Sequence, residues 1–194
     1  PEHVANPNSV RSLVQKDLRG LAVSRLGARY DDSSPLSPGV AVTLLTRITA
    51  QLYLTAAHIM AAQRVAEPFP GFRGYLDQER DWAHRPDSRK KVVGQIATAL
   101  TQGEPFRAAA GWAMWNALRP GDPLTRAEVE GVCQRALGVS AEGVAEEVEE
   151  VAGRAAEVLR EGALQAGGSS ELAGAAVRAL GILLDLLDPP EEEK

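Results

Sequence analysis

The stretch SAEGVAEEVEEVAGRAAEVLREGALQAGGSSELAGAAVRALGILLDLL, residues 140–187, decides the fold. In its first half Val144, Val148, Val151, Ala155 and Val158 recur at alternating spacings of four and three. Residues so spaced lie along one side of an α-helix and form a heptad seam. Glu146, Glu147, Glu149, Glu150, Arg154 and Glu157 fill the remaining sides. Gly167-Gly-Ser-Ser170 interrupts the pattern as a turn, and Ala173, Val177, Leu180, Leu184 and Leu187 then repeat the spacing up to Pro189-Pro190. Two such helices joined by a short turn form an antiparallel hairpin. The final helix is apolar almost all round at its end, through Ile182, Leu183, Leu184, Leu186 and Leu187. One neighbouring helix covers only one of its sides. Leu180, Leu183, Leu184 and Leu187 are therefore candidates for an oligomer interface as well as for the core.

Upstream of the hairpin the sequence also reads as helix. Asn8 or Ser9 caps a first amphipathic segment with Val10, Leu13, Val14, Leu18, Leu21, Ala22 and Leu26 on one side, closed by Gly27 and the Asp31–Pro38 loop. Ser37-Pro38 is a strong helix start, because a capping hydroxyl precedes a ring already fixed at helical φ. The helix it opens runs to about Val65 and is apolar on more than one side, which predicts the central helix of the fold. Glu67–Asp87 is irregular, rich in Pro and Gly, and anchored by Phe69, Phe72, Tyr75 and Trp82. Further helices are predicted from Ser88 to Leu100 and from Pro105 to Leu118, the latter carrying Trp112, Trp115 and several small residues. After the break at Arg119–Pro123, Thr125 with Glu128 forms a capping box for a short helix ending near Leu137–Gly138, and Ser140 caps the hairpin's first arm. Strand-forming runs are almost absent. The expected fold is all-α: a helical bundle with a long central helix plus a C-terminal antiparallel helical hairpin.

The charge is unevenly distributed. Residues up to Pro120 hold 15 Lys/Arg against 10 Asp/Glu, and those from Gly121 onward hold 6 against 16, within an overall charge of −5. The sign changes at the Pro/Gly break. This organisation predicts a basic N-terminal helical bundle over 1–118, an acidic C-terminal part over 124–188 and an acidic tail over 189–194. Such asymmetry speaks to partners and self-association, not to a reaction.

Chemistry-bearing patterns are few. Arg80, Arg85, Arg89, Lys90 and Lys91, with Trp82 among them, form a basic cluster suited to phosphates and a stacked base, although Asp77, Glu79, Asp81 and Asp87 dilute it. The first helix adds Arg11, Lys16, Arg19, Arg25 and Arg29 to that basic surface. The segment from Leu124 to Ser140 resembles a helix-turn-helix of the LuxR type, but the glutamates of the following helix are incompatible with a phosphate backbone. Asp31-Asp32 lies in a Ser/Pro loop without a second acidic motif, so the metal chemistry of helical isoprenoid synthases is not indicated. His3, His58 and His84 are too far apart to form a helical zinc motif, and His58 is expected in the core or at its rim. No catalytic, cofactor or metal residues are assigned. The opening proline, the helical content and the two-part organisation are similar to retroviral-type capsid proteins in class only, without a stretch matching their major homology region.

The single cysteine, Cys133, excludes an internal disulfide and fits a reducing compartment. Val40–Ala62 is interrupted by Arg47, Gln51 and His58, so a membrane span is not expected, and no signal-peptide core follows the first residues. The sequence reads as a soluble cytoplasmic protein. Its expected function is that of a non-enzymatic helical interaction and assembly module forming homo-oligomers. One alternative is a nucleic-acid-associated, nucleoprotein-like protein using the basic N-terminal surface. Another is a small-molecule-binding domain or enzyme with a cavity beside Trp112 and Trp115.

Overall fold

A computed structural model describes residues 38–66 and 86–187. Among these are six α-helices and no strand. They are α1 (Pro38–Ala66), α2 (Pro86–Thr101), α3 (Pro105–Leu118), α4 (Arg126–Val132), α5 (Glu142–Gln165) and α6 (Ser169–Leu183). A π-helical turn, Cys133–Leu137, extends α4, and a 3₁₀ turn, Leu184–Leu187, extends α6. The all-α class read from the sequence is the observed one. The predicted first helix, the aromatic loop and the tail 189–194 lie outside the described residues.

Local signals explain the boundaries. Proline opens α1, α2 and α3, where its missing N–H and fixed φ cost nothing. At α4 the Thr125 N–H and hydroxyl both donate to the Glu128 carboxylate, at 3.0 and 2.9 Å. Gly138, at φ 65°, ends the π turn in the left-handed conformation that favours glycine. The α5–α6 connection, Ala166–Gly168, is tighter than the predicted turn, because Glu171 accepts the N–H groups of Gly167 and Gly168 and lets α6 begin at Ser169. Ser140 is not the cap of α5. Ala141 holds that position without a side-chain bond, and its carbonyl accepts the Ala145 N–H at 2.8 Å.

The helix at the centre is α5, not α1. It packs on α3, α6 and α1, whereas α1 lies mainly against α6 and α5. Coverage from several sides widens the buried surface of α5 beyond the heptad seam. Ala145, Val148, Val151, Ala152, Ala155, Ala156, Leu159 and Ala163 are buried, while Val144 is 48% exposed. α1 turns Leu45, Ile48, Leu52, Tyr53, Ala56 and Ile59 inward. Its opposite stripe, with Arg47, Gln51, Leu54 and His58, is exposed, so His58 belongs to the surface.

The hydrophobic core runs without interruption from Leu45 to Leu184 and draws on helices before and after the Arg119–Pro123 break. Alanines dominate the contact surfaces of α3 and α5, which brings helix axes close. The hairpin arms approach closely at Gly162. A Cβ on Gly162 would stand 2.5 Å from the Ala175 Cβ, so only glycine fits there. Arg64, in the last turn of α1, donates to the carbonyls of Ala166 and Gly167 at 3.1 and 3.0 Å. That bond satisfies orphan carbonyls at the end of α5 and fastens α1 to the hairpin turn.

Candidate functional site

Arg89, the first described member of the basic cluster, is engaged within the chain. It sits in the first turns of α2 and reaches across to the α3–α4 connection. Its Nε and Nη2 donate to the two Glu128 carboxylate oxygens at 2.9 and 2.8 Å, a bidentate pair. Nη1 stands 2.7 Å from Asp122 Oδ1, and the guanidinium also donates to the carbonyls of Asp122 and Pro123. The hydrogen bond from Arg89 is the largest influence on Glu128 and holds its carboxyl at about 2, below the usual 4.5. Glu128 in turn raises the Arg89 pKa. Lys90 and Lys91 are exposed on the same turn. A phosphate approaching this turn meets two free lysines and an arginine already neutralised by carboxylates. Arg80, Arg85 and Trp82 lie outside the described residues.

The two tryptophans of α3 hold the same connection in place. Trp112 is fully buried and its Nε1 donates to the Leu124 carbonyl at 3.2 Å. Trp115 Nε1 donates to the Asp122 carbonyl at 3.1 Å, and the Arg119 guanidinium stacks 4.2 Å from its ring centre. Asn116 Oδ1 accepts the Leu124 N–H at 2.9 Å. One side of α3 therefore fixes the path of residues 119–125. These polar groups serve the chain's own backbone and leave neither indole N–H for a ligand. Among the described residues no group of three or more His, Cys, Asp or Glu gathers as a metal site, and no helix is long and apolar enough to cross a membrane.

Of the two places open to the candidate interface leucines, the core is the one the described side chains occupy. Leu180, Leu183 and Leu184 have no accessible surface and form part of the intramolecular core. The Leu187 side chain is outside the described residues. α6 turns these leucines inward because both α1 and α5 lie against it. Its outward side retains Val177 and Ile182, which are half-buried, together with Arg178 and Gly181.

On that side the hairpin carries an open groove of about 370 Å³, lined by Val158 of α5 and by Arg178, Gly181, Ile182 and Asp185. Asp185 faces Arg154 at 3.9 Å, a long and exposed pair. Arg178 forms no ion pair with another described residue. The groove has an apolar middle and a charge of each sign. Its lining residues include no nucleophile with an adjacent base. The periodicity of the sequence placed an apolar excess on α6, but which of its residues faced outward depended on where α1 packs.

No family model, no curated protein and no solved structure matches this chain.

Proposed function

We propose that this protein is a non-enzymatic helical interaction module that forms homo-oligomers through the outer side of its C-terminal hairpin. The observation that carries the reading is the groove between α5 and α6, where Val158 and Ile182 lie between Arg178 and Asp185. An apolar centre with charged groups at its ends is the arrangement of a protein contact. The opposite charges of the two halves of the sequence support the same reading, because they favour encounter between copies. The single cysteine is buried, in keeping with a place in the reducing cytoplasm.

Size-exclusion chromatography with light scattering tests the proposal. A defined multiple of 20.7 kDa is expected at low salt, with association weakened at high salt as exposed charges are screened. A species of 20.7 kDa at every concentration and salt would refute it.

A further inference from the structure

We draw no further inference here: the strongest candidate, the outer face of α5 with the exposed carboxylates of Glu147, Glu150, Glu157 and Glu161, is an acidic helix face, and nothing in the structure shows what covers it.

Discussion

Removing the Arg89 guanidinium gives a sharp test of how the N-terminal end of α2 is joined to the start of α4. Arg89→Met keeps most of the aliphatic stem but loses both bonds to Glu128, the contact with Asp122 and two bonds to backbone carbonyls. The depression of Glu128 from 4.5 to about 2 corresponds nominally to roughly 3 kcal/mol. Its side chain is 38% exposed, however, and water screens the pair, which leaves about 1–2 kcal/mol. The sign follows from linkage. A carboxyl with a depressed folded-state pKa stabilises the fold fully above its unfolded value, and the contribution disappears as pH falls from about 4.5 towards 2. Urea melts of the original protein and Arg89→Met should therefore differ most at pH 7, and the share owed to Glu128, about 1–2 kcal/mol, should shrink as pH falls from about 4.5 towards 2, leaving the smaller loss of the two carbonyl bonds. A double-mutant cycle with Glu128→Gln should return a coupling of about 1 kcal/mol at pH 7. A difference that stays constant from pH 7 to pH 3, or a coupling near zero, would refute an electrostatic clamp and reduce Arg89 to a packing residue.

Two further outcomes follow from the helix packing. Gly162→Ala drives a methyl into Ala175 and should destabilise by about 1–3 kcal/mol, whereas Gly153→Ala, whose Cβ meets nothing within 4 Å, should stabilise α5 by about 0.5–1 kcal/mol; thermal melts distinguish the two. Cys133 is completely buried and burial pushes its thiol pKa up, so a disulfide reagent at pH 8 should label it only as fast as the chain opens. Immediate labelling of the native protein would contradict that burial.

Local signals survived folding because they are satisfied within a turn or two of chain. Pro38, Pro105, the Thr125–Glu128 bond and Gly138 each act on their own backbone, and each marks a boundary close to where the sequence put it. Ser140 misled because its hydroxyl was read as a cap in isolation, while the chain reaches helical geometry one residue later, after Ala141. The heptad seam of α5 misled differently. A spacing of three and four marks one apolar stripe, but alanine is small enough to be buried or exposed at little cost. Ala145, Ala152, Ala156 and Ala163 therefore gave no sign that a second surface, covered by α3, existed beside the valines. The change in charge sign at Arg119–Pro123 coincides with a loop and not with a break in the core, because charge resides on outer surfaces that packing does not consult.

The candidate site shows the same division between local and long-range information. That α6 carries more apolar surface than one neighbour can cover was visible in Leu180–Leu187, and two helices, α1 and α5, do cover it. Which residues remain outside is a question of rotation about the helix axis, and rotation is set by contacts far away in sequence. Arg64 bonding Ala166 and Gly167 is one such contact, and it connects elements 102 and 103 residues apart. With α1 held there, the leucines turn inward, and Arg178, Gly181 and Asp185 are carried to the open side. The setting of Arg89 depends on long-range contacts in the same way. In sequence it stands beside Lys90 and Lys91 as one of three equivalent cations, and only the return of the chain after α3 brings Glu128 and Asp122 within 3 Å of it. A run of positive residues is thus not a single surface: a helix points its neighbours in different directions, and the one that meets a carboxylate first stops being available to anything else.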